Sequence, residues 1–160
     1  MSPQTRLQGP LAWLGVLISW MVPGAGFMVC GRWARGIFHF LAINLTFALG
    51  LMLHSSVAWP TWSLRAEEFN LINNFTFLVE MGGGLAALAS FVASAALEGE
   101  SSAMQWLAGV PHDPYYELGT YFLVVAGALN YFAIGNFYDR VVNPHPRFDV
   151  KQDTEGTETA

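Results

Sequence analysis

The amino-acid sequence predicts an all-α integral membrane helical bundle with about four membrane segments, and three observations predict it. Hydrophobic residues make up 53% of the 160-residue chain and charged residues only 12%, against about 25% charged in an ordinary soluble domain. The few charges are unevenly placed, with no Lys or Arg between Arg65 and Arg140. Long apolar runs alternate with short polar ones, as in a chain that threads a bilayer several times. The length fits one domain. A formal charge of -5 argues against nucleic acid as a partner, because phosphate binding needs clustered Lys and Arg. Cys30 is the single cysteine, so an intrachain disulfide and a Cys-based metal site are both excluded. A cleavable signal peptide is disfavoured, since no small-x-small site ends the first apolar run.

The elements follow in order. Residues 1–10 are a polar lead-in. The transmembrane domain occupies 11–138, with segments at about 11–30, 34–54, 75–97 and 115–137, and 139–160 forms a polar tail expected to be disordered because it holds too little apolar surface to offset ordering entropy. The first segment has only about 18 Å of helix before Pro23, Gly24 and Gly26 interrupt it, too little for a ~30 Å hydrocarbon core. It is therefore short or broken, and either spans with a kink or re-enters. The second and fourth are long enough to span. The third reads as a span interrupted only by Glu80. The connection around 55–68 carries Trp59 and Trp62, suited to a headgroup belt. Met104 to Leu107 can form a short interfacial turn. With a spanning first segment, the arginine distribution places both termini inside; with a re-entrant one it decides nothing. No internal repeat is evident.

The most specific pattern is Pro23-Gly24-Ala25-Gly26, four residues, then Gly31-Arg32-Trp33-Ala34-Arg35-Gly36. The glycines allow a tight hairpin, and Arg32 and Arg35 share a face near the interface. They read first as topology-setting arginines, and second as contacts for lipid phosphates or a partner's carboxylates. This PGxG-x4-GRxxRG turn, with Tyr115 to Tyr121 and Ala126-Gly127-Ala128-Leu129-Asn130, resembles a family of small bacterial polytopic membrane proteins of unknown function. More loosely, it is similar to the two-transmembrane-helix hairpin domain. The resemblance covers about residues 11–140 and implies a membrane location and a compact bundle. It implies no activity or catalytic residue.

Polar residues inside the segments are the candidate sites. Glu80 is the most costly, about 9 Å from the centre of its segment. Its expected partners are His54, Asn136, Tyr138 and Arg140, and its role is a hydrogen-bonded anchor or, alternatively, part of a proton or cation relay. Asn44 and Asn130 are expected at similar depth, bonding to each other or nearly so. Gly83, Ala87, Ser90 and Ser94 form a small-residue face for helix packing. His39, with His112, Asp113, Glu117, Glu98 and Glu100, is expected on one side of the membrane, a weak metal or lipid-chemistry grouping without a recognised spacing. Asn44-Leu45-Thr46 and Asn74-Phe75-Thr76 match the glycosylation pattern but lie in or beside the membrane. No nucleophile motif or phosphate loop is present, and no cofactor is indicated. The leading expectation is a non-enzymatic structural or accessory subunit, packing in the lipid bilayer against other membrane proteins or itself. A small transporter or channel subunit built on Glu80 is the rival, and a lipid-acting enzyme using His39 and His112 the third reading.

Overall fold

The computed structural model describes residues 10–58, 60, 70–96, 109, 110 and 112–142, and these fold as helices joined by turns, with no strand among them. The lead-in, Trp59, Trp62 and Arg65, the 104–107 turn, Glu98, Glu100 and most of the tail lie outside the described residues.

Helix α1 covers Pro10–Met21 and starts on a proline, whose fixed φ and missing N–H suit a first helical position. Pro23 and Gly24 end it, with Gly24 at φ 80°, and the short α2 follows at Ala25–Val29. The long α3 spans Trp33–Met52. After it the chain turns at His54 (φ 58°) and runs non-helically through Ser55, Ser56 and Val57, all buried. Helix α4 covers Leu71–Glu80, capped by the Asn70 side chain, which accepts the Asn73 N–H at 3.0 Å. One 3-10 turn, Met81–Gly83, and Gly84 at φ 67° separate it from α5, Leu85–Ala96. Helix α6 covers Tyr116–Phe137 and runs into a wider π-type turn, Tyr138–Val142.

Helices α3 and α6 form the central pair, packed more extensively than any other two elements. They are antiparallel. Gly50, near the end of α3, meets Gly119 and Leu123 near the start of α6, and beyond it Ser55 Oγ lies 2.8 Å from Thr120 Oγ1. At the opposite end Phe27 sits edge-on to both His39 of α3 and Phe137 of α6. By length and composition both helices can cross a membrane.

The other helices form two hairpins of half that depth. In the first, Trp13 packs on Tyr138, and a turn or two further along α1 the Trp20 carbonyl meets Asn130. The chain then reverses, bringing Gly24 onto Gly36 and Phe27 back to Phe137. The first segment therefore folds back and ends near where it began. In the second, Phe77 and Phe91 have ring centroids 5.3 Å apart, whereas a continuous helix would separate residues fourteen apart by about 21 Å. The third segment is thus not one span: α4 descends to Glu80, the glycines turn it, and α5 climbs back. The chain before it (at Ser55) and after it (Val110, whose N–H donates to His54 O at 2.8 Å) lies at the end where α3 stops and α6 starts, and from Ser55 it runs inward through the core residue Val57 to Ala58. The two hairpins enter from opposite ends and touch at their tips, where Gly84 abuts the Trp20 and Met21 carbonyls. Hairpin then long helix occurs twice, in opposite directions, an order invisible in the residues themselves. The apolar core of Ile43, Phe47, Val57, Ala87, Leu123, Ala126 and Ala133 fills the space between α3, α6 and the second hairpin.

Candidate functional site

A helix that stops inside a bundle leaves its last carbonyls without intrahelical donors, and each unpaired buried carbonyl is costly. Here α6 supplies the donors. Asn130, fully buried, uses both amide protons: Nδ2 donates to Gly82 O at 2.7 Å and to Trp20 O at 3.2 Å, joining the two hairpin tips. The adjacent Tyr131 donates its hydroxyl to Leu78 O, about one turn before Gly82, at 2.8 Å. Gly127 lets α4 cross α6 at backbone contact, since a Cβ there would meet the Val79 carbonyl oxygen. One face of α6 therefore carries a glycine for approach and two polar side chains for the broken ends.

Glu80 closes α4 and is also fully buried. Its Oε2 accepts the Ala58 N–H at 2.7 Å, a backbone donor in the non-helical stretch after α3. Its Oε1 and the Oδ1 of Asn130 are buried without a hydrogen-bond partner among the described residues. Two oxygen acceptors with spare lone pairs thus lie in the interior of the molecule, where a proton or a small cation would be the natural complement.

Several sequence expectations are corrected. Glu80 bonds the Ala58 backbone and none of His54, Asn136, Tyr138 or Arg140, because the turn after it folds the segment back instead of carrying it across. Asn44 does not bond Asn130; its Nδ2 donates to Phe40 O on its own helix at 2.8 Å, and Asn130 is drawn to the carbonyls of the broken tips. His39 and His112 do not share a side. His39 is in the second turn of α3, whereas His112 adjoins Asp113, which pairs with His54 beyond the far end of α3. The folded-back third segment is again the cause, since it leaves α6 starting at the opposite end from the one a span would give.

The remaining candidates are placed as follows. Gly83 sits in the 3-10 turn against Phe47 and Ala87, and Ala87, Ser90 and Ser94 are buried, so this face packs inside the chain. Pro23, Gly24, Gly26 and Gly36 are buried where α1, α2 and α3 meet, while Gly31 is exposed. Arg32 is half-buried and Arg35 exposed. At the far mouth His54 Nδ1 lies 3.0 Å from Asp113 Oδ2. The Tyr115 N–H donated to Asp113, seconded by His54, holds that carboxyl below its ordinary value. Sequence reasoning missed Trp20 O, Gly82 O, Leu78 O and Ala58 N, which are backbone groups without a side-chain signature. It also missed Tyr131 and Gly127, whose i, i+4 spacing, with Asn130 between, was the available signal.

A family model described as a family of unknown function (DUF6677) matches residues 14–146, and the chain belongs to that family. No curated protein and no solved structure matches it.

Proposed function

For this member of the family we propose a multi-pass integral membrane protein of the bacterial cytoplasmic membrane with a non-enzymatic role, a small structural or accessory subunit that packs against other membrane proteins or itself. One observation carries the membrane half of this reading. Bulky apolar side chains face outward on both long helices, among them Phe38, Leu41 and Leu45 of α3 and Tyr121, Val125 and Phe132 of α6, while Glu80, Asn130, Ser55, Ser90 and Ser94 point inward. Water would penalise that distribution and lipid favours it. Half-depth hairpins with apolar outer faces and buried tips suit a bilayer because their broken ends find donors on α6. Among the described residues Arg32, Arg35 and Arg140 all lie at one end of the α3–α6 pair, with no Lys or Arg at the other, which supports placing that end, and both ends of the bundle chain, on the cytoplasmic side.

The accessory role is supported by how the polar side chains of the bundle are used. Asn130, Tyr131, Ser55 and Thr120 are engaged with other parts of the chain, leaving broad outer faces of aromatic and aliphatic side chains to meet neighbours. Gentle solubilisation of native membranes and identification of co-purifying proteins tests it; a chain that runs alone in mild detergent removes the support.

A second reading, a proton- or cation-conducting subunit, is favoured by the unpartnered Oε1 of Glu80 at the meeting of two broken hairpins. Glu80→Gln separates the two. The amide oxygen can still accept from Ala58, so the accessory reading expects assembly intact and stability within about 1 kcal/mol. The conducting reading expects ion or proton flux into reconstituted vesicles to be lost.

A further inference from the structure

We propose that the cleft between the start of α3 and the end of α6 is a binding site for the phosphate headgroup of an anionic phospholipid. The inference rests on the membrane reading above. The cleft has a volume of ≈ 350 Å³ and is lined by Ala34, Arg35, Phe38, His39, Asn136 and Arg140, a size ordinary for a small-ligand site. Its polar groups come from two elements. Arg35 and His39 are one turn apart on α3, Asn136 is in the last turn of α6, and Arg140 is in the turn that follows. Among the described residues no carboxylate pairs with either guanidinium, and Asp139, adjacent in sequence to Arg140, is exposed and does not line the cleft. Two unpaired guanidiniums, an imidazole and an amide form a donor set for phosphate oxygens, and guanidinium matches them in two-point geometry.

The surroundings select a lipid over free phosphate. The cleft is at the ends of the two long helices, the depth of headgroups if these helices span. Phe38 forms its wall, 67% exposed, and Leu41 and Leu45 continue along the same face of α3, 49% and 61% exposed. This outward apolar track starts at the phosphate donors and runs toward the middle of the helix, as an acyl chain does. A free anion has no use for it.

The test uses the full chain reconstituted in nanodiscs of phosphatidylglycerol mixed with phosphatidylcholine, released and read by native mass spectrometry. The expected result is preferential retention of phosphatidylglycerol. It should fall about tenfold for each guanidinium removed in Arg35→Gln and Arg140→Gln, fall less with lysine at both positions, and stay unchanged in Arg32→Gln, which lies outside the cleft. Where Arg35→Gln combined with Arg140→Gln disturbs folding, the single variants carry the test. Equal retention of the two lipids, or undiminished retention in both single variants, overturns the inference. So does binding of inorganic phosphate, probed alone, with no lipid preference. A chain that stays monomeric in detergent-free buffer overturns the membrane reading instead, which keeps the two failures distinct.

Discussion

The two hairpins solve one problem by different means. Both must turn a helix back at half depth, and each places a glycine with positive φ at the reversal, Gly24 at 80° and Gly84 at 67°. The first has Pro23, which lacks the N–H needed to continue a helix, and its return limb α2 is only five residues long. The second has no proline. Gly82, Gly83 and Gly84 allow the turn without enforcing it, and its return limb α5 has twelve residues. The first turn is therefore written into the local sequence, whereas the second is held by what it touches: Asn130 on Gly82 O, Tyr131 on Leu78 O, Ala58 on Glu80, and Gly127 beneath Val79. A locally encoded break and a tertiary one should fail differently when contacts are removed.

The largest effect is expected at Gly127. Gly127→Val drives a side chain into the Val79 carbonyl, a backbone group that cannot swing aside. It should cost about 3 kcal/mol, lowering the melting temperature in detergent and separating a cysteine pair engineered between α4 and α6. An unchanged melt would remove Gly127 as the crossing point. Next come Gly24→Ala and Gly84→Ala, each adding a Cβ in a left-handed conformation and against backbone, at Gly36 and at Trp20 respectively. Each should cost about 2 kcal/mol, with Gly84→Ala the worse because it pushes the hairpins apart. The reverse order would make the first tip the more tightly held. Asn130→Leu strips the donor from both broken ends and should cost about 1–2 kcal/mol. A double-mutant cycle with Tyr131→Phe should show coupling, because both side chains hold the second hairpin.

The smallest effect concerns the His54–Asp113 mouth. The folded-state pKa of Asp113 is depressed, so its contribution is present above the unfolded carboxylate value and lost as pH falls through the folded one. Asp113→Asn should flatten the acid limb of a pH-dependent melt by slightly lowering the neutral-pH plateau, leaving low-pH stability unchanged. A steep acid limb that survives the substitution would assign it to another carboxylate.

Much of the fold was legible because composition and run length report directly on solvent. Low charge and long apolar runs pointed to helices and to three segments of spanning length, of which the second and fourth match α3 and α6. Proline and glycine marked the break after α1. The third segment was misread because periodicity and length respond to side-chain polarity, and three glycines amid alanine and leucine leave the apolar run unbroken. That one misreading reversed the direction of α6, joined His39 to His112, and assigned Glu80 partners it never meets. Asn130 and Glu80 were recognisable as costly buried groups, since desolvation singles them out in any apolar run. Their partners were backbone atoms, whose availability depends on where helices end.

The residues alone determined an all-helical chain rich in apolar segments, a proline-driven turn after α1, and a few polar groups that had to find partners inside. Only the tertiary structure decided that two of the four segments turn back at half depth, that they do so from opposite ends, and that α6 satisfies both. The reason is physical. A side chain's polarity is a property of one position, but a carbonyl becomes an unmet acceptor only when its helix stops, and where the second helix stops depends on contact with a neighbouring helix distant in sequence.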